Sequence, residues 1–461
     1  MPMNLVFAPH ESLGEGDARR GNGAAGPVPG KGTLLAASGK VFVCAFAVGG
    51  ESTARSLVLS AGGEAAAGIR TFTNPPVLVA PEEGAEDGAC FQKPKVGAGV
   101  EDVEYRCGNT LFTVFACGGS SCLSILGVPP AHRDYNGTVR VGSRPSGVAL
   151  SCGETGEKYA FAACAGDGTI AAVFLHEEGP LRRGDRMGET VYFDAATGKQ
   201  IETRPASQQI LDSDGRGGGQ AGFSKIPGAP GPVSRAGQAL GIEDVALLQR
   251  GPWSGGAVGE GGGAKEAYLF VSNTKAGSVS LFNAAPFLTG KSKDLILMGR
   301  IEDLPNPRKL LLAGGRHLWV GSHPGTTVFR IDLDGLPAWT PRRPEAVGVG
   351  KDPAFMAWLP TQGGFLMVVN SGSDSVSVVQ GLREIGRLDA ANSAPMAEPW
   401  GIWISGFGDR MIVTNRAESY ATWWNFRLYP EAVRGPQDLL LGSGNVRTGP
   451  GVSAIDGDLR P

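Results

Sequence analysis

Short apolar segments separated by turn residues recur along most of this chain. Seven of them share one pattern, a brief apolar run that is often led by proline. These runs lie at residues 32–37, 100–105, 145–150, 242–247, 307–312, 353–358 and 399–404. Apolar runs of this length bounded by turn signals are typical of short β-strands. The pattern therefore predicts a chain built of many short strands.

A second pattern follows each copy of the first. An apolar strand ends in a small polar residue, a turn follows, and another apolar strand begins. In six copies the next strand position lies six residues after that polar residue. The six polar residues are Cys117, Cys164, Asn273, Ser322, Asn370 and Asn415. A fixed offset of this kind predicts a β-hairpin that is repeated in each unit.

The spacing between repeats indicates the architecture. Val103 and Val148 are 45 residues apart, and Leu310, Met356 and Ile402 follow one another at intervals of 46. A period near 45 with four strands per unit is typical of a β-propeller blade. Seven copies predict an all-β, seven-bladed propeller that occupies residues 1–461 as one domain. The predicted blades are near 32–60, 100–127, 144–205, 242–290, 305–338, 352–388 and 398–430, and the predicted long, glycine-rich insertions are 61–99, 206–237 and 249–265.

Closing such a ring requires one blade to be completed by a chain terminus. Two segments can supply the strand beside the last repeat, residues 4–8 and residues 437–442. We favour residues 4–8, an apolar stretch close to the N-terminus.

Composition narrows the classes of protein that the pattern allows. The chain contains 72 glycines and 32 prolines in 461 residues, which excludes a helical bundle because interior glycine destabilises helices. A net charge of -3 gives no reason to expect a nucleic-acid partner or an anionic membrane. The sequence has no signal peptide or membrane-span pattern, and seven cysteines without a Cys-x-x-Cys motif favour free thiols. We therefore expect a cytoplasmic protein without a cofactor.

The repeat resembles the YVTN family of propellers, which includes lactonase-like seven-bladed proteins. The resemblance rests on segments 270–281, 367–378 and 412–415, with 141–150 similar to the family's strand-leading segment and 192–199 to its outer hairpin. It implies a seven-bladed propeller. It leaves function open, because the family includes enzymes, cofactor-bearing subunits and binding scaffolds.

The candidate chemistry lies just before the centre of each inner strand. In a propeller these strands surround a channel, and ligands bind at its mouth. The two residues before each strand anchor include acidic pairs, a basic pair and aromatic residues: Glu101, Asp102, Glu243, Asp244, Arg308, Lys309, Phe355 and Trp400. We interpret the acidic residues as general bases, the basic pair as holding an anionic group, and Phe355 and Trp400 as binding substrate. The alternative is a solvated rim whose charges pair across the channel.

Histidine and asparagine supply further candidates. His323, one residue past Ser322, is the best single candidate for acid–base chemistry, and an exposed turn histidine is the alternative. Asn273, Asn370 and Asn415 are predicted either to bind substrate or to close their own turns by bonding the backbone. A hard cation held by these oxygens is a third possibility. The five histidines form no metal-binding pair, so we predict no metal site.

These features favour a cofactor-independent enzyme, namely a lyase, an isomerase or cyclase, or a lactone hydrolase, that acts on a small organic molecule at the channel mouth. The alternative is a non-catalytic ligand-binding propeller or a protein-interaction scaffold, whose partner would bind through the loop insertions. A cofactor-bearing redox subunit is the weakest possibility, since the sequence has no haem motif.

Overall fold

The structure is a computed structural model, and it describes most of the chain from residue 40 to residue 447. The described residues are 40–49, 51–60, 65–73, 100–106, 112–127, 136–151, 158–176, 186, 188–205, 210–213, 231–250, 266–337, 343–359, 364–404, 410–417, 420–426, 433 and 435–447. Seven antiparallel sheets account for almost all of them.

The first sheet has three strands, and the sheets of blades I and II have five strands each. The three-stranded sheet contains β1 (Lys40–Gly49), β2 (Glu51–Ser60) and β3 (Ala65–Thr73). Blade I contains β4 (Val100–Arg106), β5 (Phe112–Cys117), β6 (Cys122–Gly127) and β7 (Asn136–Arg140). Blade II contains β8 (Pro145–Leu150), β9 (Lys158–Cys164), β10 (Thr169–His176), β11 (Thr190–Asp194) and β12 (Gln200–Arg204). The next strand, β13 (Ile210–Ser213), returns to blade I and pairs with the outer edge of β7.

The remaining sheets each have four strands in chain order. Blade III contains β14 (Ile242–Arg250), β15 (Glu266–Asn273), β16 (Ser278–Asn283) and β17 (Ile296–Ile301). Blade IV contains β18 (Pro307–Ala313), β19 (His317–Ser322), β20 (Thr327–Asp332) and β21 (Glu345–Gly348). Blade V contains β22 (Pro353–Leu359), β23 (Phe365–Asn370), β24 (Ser375–Gln380) and β25 (Arg383–Leu388). Blade VI contains β26 (Pro399–Ile404), β27 (Arg410–Asn415), β28 (Tyr420–Phe426) and β29 (Leu440–Arg447).

Helical structure in the described residues is confined to short connections. They are α1 (Arg235–Leu240), α2 (Ala285–Leu288) and two 3-10 turns, Gly118–Ser120 and Pro436–Asp438. The N-cap of α1 is Ser234, whose side chain accepts a hydrogen bond from Gly237 N. Such capping satisfies a backbone donor that a helix start leaves unpaired.

The sheets form an all-β propeller, as the repeat predicts. The first strand of each blade is its innermost strand, and successive inner strands, β4, β8, β14, β18, β22 and β26, lie beside one another. Each buried apolar cluster is shared by two neighbouring blades: Phe270 and Leu281 of blade III, for example, pack with Leu318 and Val320 of blade IV. A single blade leaves its faces exposed, so this stacking supplies the core. The count of seven blades stays a prediction, because residues 32–37 of the first predicted repeat lie outside the described residues.

The structure differs from the predicted bounds at several places. Strand β13 lies inside the segment 206–237, which we predicted to be an insertion loop, and β3 lies inside the predicted insertion 61–99. The last blade extends past residue 430, because β29 pairs with β28 as its fourth strand. The fourth strand of the last blade therefore comes from the C-terminal segment that includes the alternative 437–442. We favoured residues 4–8, which lie outside the described residues.

Candidate functional site

Every described inner strand bulges at the same point. The register between the first and second strands of each blade shifts by one residue around the positions just before the strand centre. The extra residues are Glu101, Ser146, Glu243, Arg308, Ala354 and Trp400. A bulge bends its strand and redirects a side chain, and bulges are frequent beside functional sites. Six equivalent bulges therefore place these positions around one end of the central channel.

A cavity opens where the bulged residues converge. Its lining is Glu101, Ser146, Glu243, Arg308, Lys309, Phe355 and Trp400. The space between these side chains has a volume of about 250 Å³, which includes the part that is open to solvent. This is below the range of about 300–1,000 Å³ that is typical of ligand pockets. The cavity brings together residues from all six blades.

Cationic groups surround the ring of Trp400. The guanidinium carbons of Arg416 and Arg308 lie 3.2 Å and 5.4 Å from its centroid. The imidazole of His323 meets the same ring edge to face, with centroids 5.6 Å apart, and Phe355 lies 6.2 Å away. Cations over an aromatic face are attracted by the ring's quadrupole. Trp400 thus holds two like-charged guanidiniums beside one cavity.

Neither of these guanidiniums is held by a direct ion pair with a described residue. The structure records no ion pair or hydrogen bond between the side chain of Arg308 or Arg416 and the rest of the described chain. Burial, reinforced by Arg308, lowers the pKa of Arg416 to about 10, while Glu101 and Glu398 act in the opposite direction. Buried cations normally have an anionic partner. The pair is therefore suited to an anionic ligand.

The acidic residues of the cavity differ in their pairing. Glu243 Oε1 accepts a hydrogen bond from Arg144 Nη2 at 2.5 Å. Glu101, by contrast, has no ion pair with a described residue, and its electrostatic influence reaches Arg416 across the cavity. A carboxylate that is not held by an ion pair remains available to accept a proton. Glu101 is therefore the better placed of the two for acid–base chemistry.

A second group of charges is centred on Lys309, which also lines the cavity. Lys309 Nζ is 3.2 Å from Asp102 Oδ2 and 3.5 Å from Asp244 Oδ1, so three blades meet in one ion cluster. Each carboxylate also binds the backbone of the next blade: Val148 N donates to Asp102, and Leu310 N donates to Asp244. These bonds connect neighbouring inner strands. The alternative prediction of charges that pair across the channel fits Asp102, Asp244 and Lys309.

Burial shifts the protonation of this cluster and of His323. Burial raises the pKa of Asp244, and nearby Asp102 adds to the rise, although Lys309 opposes it. For Lys309 burial acts to lower the pKa, but Asp102 and Asp244 outweigh it and raise the pKa. Burial and the charge of Arg308 lower the pKa of His323, which favours neutral imidazole. A neutral imidazole can accept a proton at neutral pH.

The predicted asparagines lie away from the cavity. Asn273, Asn370 and Asn415 are completely buried within their blades. Asn273 Nδ2 donates to Ser278 and Ser280, and Asn370 Nδ2 donates to Ser375 and Ser377, over 2.9–3.2 Å. Asn415 bonds Thr422 Oγ1 and accepts from Ala397 N. These asparagines hold their hairpins together, mainly through bonds to side chains, where we expected bonds to the backbone. None of the three lines the cavity.

Two arginines of the site, Arg416 and Arg144, were not predicted from the sequence. The repeat pattern could have identified Arg416. Arg416 stands one residue past Asn415, the position that His323 occupies past Ser322. Extending that rule to the last blade identifies Arg416. Arg144 had no comparable signal, because its pairing with Glu243 joins residues 99 positions apart.

Neither a metal-binding cluster nor a membrane-spanning helix is found among the described residues. Among the described residues, no group of three or more His, Cys, Asp or Glu side chains is placed to hold a metal ion. Within the same part of the chain, no helix has the length and apolar character needed to cross a membrane.

Comparisons with known proteins find similarity in structure and none in sequence. No family model matches the chain, and no curated protein matches it in sequence. A solved protein from Lactobacillus plantarum is similar in structure, with a TM-score of 0.50 and 13% identity, over 87% of this chain and 94% of that one. A periplasmic gluconolactonase from Pseudomonas aeruginosa has a TM-score of 0.45 and 15% identity over 87% and 93% of the two chains. The β-propeller domain of a Myceliophteria thermophila protein has a TM-score of 0.43 and 12% identity over 79% and 91%. At these identities the likeness concerns the fold alone.

Proposed function

We propose that this protein is a cofactor-independent enzyme that acts on a small organic anion at the mouth of the propeller channel. The observation that carries the proposal is the pair of guanidiniums, Arg308 and Arg416, that share the ring of Trp400 and form no direct ion pair with a described residue. Bidentate guanidinium groups recognise carboxylates and phosphates well. An organic acid bound there would pair with both guanidiniums.

In this proposal Glu101 is the general base, and it removes a proton either from a substrate carbon or from a water molecule. Arg308 and Arg416 hold the anionic group and stabilise negative charge that develops near it. His323, held neutral beside Trp400, is a second proton acceptor or donor. Lys309, Asp102 and Asp244 keep the inner strands in register at the cavity.

This arrangement suits three reaction classes that need no cofactor. A lyase or an isomerase begins with proton abstraction beside a carbonyl or carboxylate, and a lactone hydrolase begins with an activated water. All three develop negative charge on oxygen, which the arginines can stabilise. Membership of the lactonase-like YVTN propellers is part of the proposal, and it rests on the repeat segments 270–281 and 367–378.

Binding is the first test. The protein is titrated calorimetrically with a panel of small hydroxy acids and their lactones, each compared with its neutral methyl ester or amide. We expect at least one acid to bind more tightly than its neutral counterpart, and R308Q and R416Q each to weaken that binding. The control is R330Q, whose arginine pairs with Glu345 on an outer strand. Equal affinity for acids and neutral counterparts would contradict an anion site.

Turnover is the second test, with the ligands that bind. E101Q keeps the shape of the side chain and removes its basicity, so we expect kcat to fall roughly 10²–10⁴-fold with little change in affinity. Binding without turnover in the native protein would favour the ligand-binding alternative. The scaffold alternative stays a prediction, because most residues of the insertions 61–99, 206–237 and 249–265 lie outside the described residues.

A further inference from the structure

Two thiols face each other at the closed end of one hairpin. Cys117 ends β5, Cys122 begins β6, and the two residues are direct partners across the strands. Neither cysteine is in a disulfide, both are completely buried, and the Cys122 thiol is hydrogen-bonded to Cys117. Opposed residues of an antiparallel pair have Cα atoms about 4.5–5.5 Å apart, within the range of about 4.4–6.8 Å that disulfides span. The backbone therefore already places these cysteines at bonding range.

The same two positions in other blades hold a hydrogen-bonded polar pair. In blade III, Asn273 Nδ2 lies 3.1 Å from Ser278 Oγ, and in blade V the equivalent pair, Asn370 and Ser375, is separated by 3.2 Å. Their side chains therefore point toward one another on one face of the hairpin. Blade I keeps this arrangement with sulfur at both positions.

The third member of each cluster is also retained. Cys117 Sγ lies 3.6 Å from Ser124 Oγ, and the equivalent partners in blades III and V are Ser280 and Ser377. In blade II, by contrast, Cys164 faces Thr169. Cys164 is therefore a buried thiol in the same structural position but without a second sulfur opposite.

The hairpin end contacts the candidate active site. The turn that joins the two cysteines begins with Gly118, and a Cβ added there would lie 3.0 Å from Glu101 Cγ and 3.2 Å from Pro145 O. Such distances leave no spare room between the turn and Glu101. A movement of this turn toward β4 would therefore press on the side chain of Glu101.

We propose that Cys117 and Cys122 are a reversible dithiol–disulfide pair and that closing the disulfide shifts the Gly118 turn against Glu101. The oxidant is a small-molecule disulfide such as oxidised glutathione. One cysteine thiolate attacks it and releases one glutathione thiol, which leaves a mixed disulfide. The second cysteine then displaces the other glutathione, so that two protein thiols are oxidised while one disulfide is reduced to two thiols.

Burial makes this exchange slow without preventing it. The hydrogen bond to Cys117 and burial both raise the pKa of Cys122 well above its ordinary value, which keeps the thiolate scarce. Attack therefore requires the glycine-containing hairpin end to open. We expect oxidation over hours, faster at higher pH because the thiolate is the nucleophile.

The chemical test follows the cysteines by mass spectrometry. The folded protein is equilibrated with mixtures of reduced and oxidised glutathione, quenched in acid, unfolded and alkylated. We expect Cys117 and Cys122 to escape alkylation together, with the loss of two hydrogen atoms from their peptide, and dithiothreitol to reverse this. Cys164 is the internal control and is expected to remain alkylatable. Full alkylation of Cys117 and Cys122 at every ratio, or only separate glutathione adducts, would overturn the proposal.

The structural test measures the coupling to the cavity. Hydrogen exchange is compared between the reduced and oxidised proteins, and we expect the largest change outside the hairpin in β4, which carries Glu101. Strand β25, the outermost strand of blade V, is the control and is expected to exchange equally in both states. A disulfide that forms without changing exchange in β4 would overturn the coupling. C117S and C122S should each show no redox dependence, and neither measurement requires turnover or a known substrate.

Discussion

The carboxylate of Asp244 covers the backbone of Gly147 on the neighbouring inner strand. A Cβ on Gly147 would collide with Asp244 Oδ1 and would lie 2.7 Å from the Asp244 Cα atom. Gly147 occupies the position that Asp102 and Lys309 hold in their own blades, so its missing side chain provides the space in which Asp244 is buried. Glycine here is a packing requirement of the charged ring.

This contact predicts the effect of adding one methyl group. G147A must displace backbone as well as the carboxylate, so we expect the free energy of unfolding to fall by about 1–3 kcal/mol, as overpacking commonly costs. Urea unfolding measures it. The control is G348A, because a Cβ at Gly348 would have no atom within 4 Å. Equal stability of the two variants would show that the ring accommodates the methyl group.

The buried cation of the ion cluster is expected to be essential for stability. K309M leaves the carboxylates of Asp102 and Asp244 beside each other without the ammonium that lies 3.2 Å and 3.5 Å away. Removing one partner of a buried ion cluster typically costs about 3–5 kcal/mol. We expect a loss of that order in urea unfolding, partly restored when D102N is added.

The matched control for this variant is K291M, because Lys291 is exposed. Its unfolding free energy is expected to change by less than about 0.5 kcal/mol. A K309M protein as stable as K291M would contradict a structural role for the cluster.

The repeat in the sequence predicted the ring of positions, because equivalent residues of equivalent strands must face the same axis. Glu101, Glu243, Arg308, Phe355 and Trp400 meet in one cavity for this reason. Their environment was not predictable from the period. Whether a carboxylate at a given position is buried depends on its neighbour in the next blade, as Gly147 illustrates for Asp244.

The repeat also could not predict contacts between segments that are far apart in the sequence. The contact between Arg416 and Trp400 depends on the orientation of the last blade relative to the channel axis. The pairing of β13 with blade I depends on a segment that lies outside the repeat. The role of the asparagines depended on which face of the hairpin their side chains occupy, which the column of small polar residues did not specify.

The raised pKa of Asp244 predicts a pH-dependent stability. Burial raises it from its ordinary value near 4 to about 7. Between these values the unfolded chain has released the proton that the folded protein retains, so unfolding releases a proton and rising pH favours it. We expect wild type to lose stability relative to D244N as pH rises through this window. A difference in unfolding free energy that is independent of pH would contradict the assignment.

The low pKa of His323 depends on Arg308, which predicts a measurable effect of removing that charge. After burial, the charge of Arg308 contributes most to lowering the pKa, and Arg416 contributes less. R308Q is therefore expected to raise the pKa of His323, and R416Q to raise it by a smaller amount. The five histidines make NMR titration of the imidazole protons practical, and H323N identifies the resonance. R330Q, which removes a distant arginine of an outer strand, is the control and should leave the titration unchanged. If R308Q leaves the His323 pKa where it is in wild type, the guanidinium does not act on the imidazole, and neutral His323 cannot be attributed to the cationic cluster around Trp400.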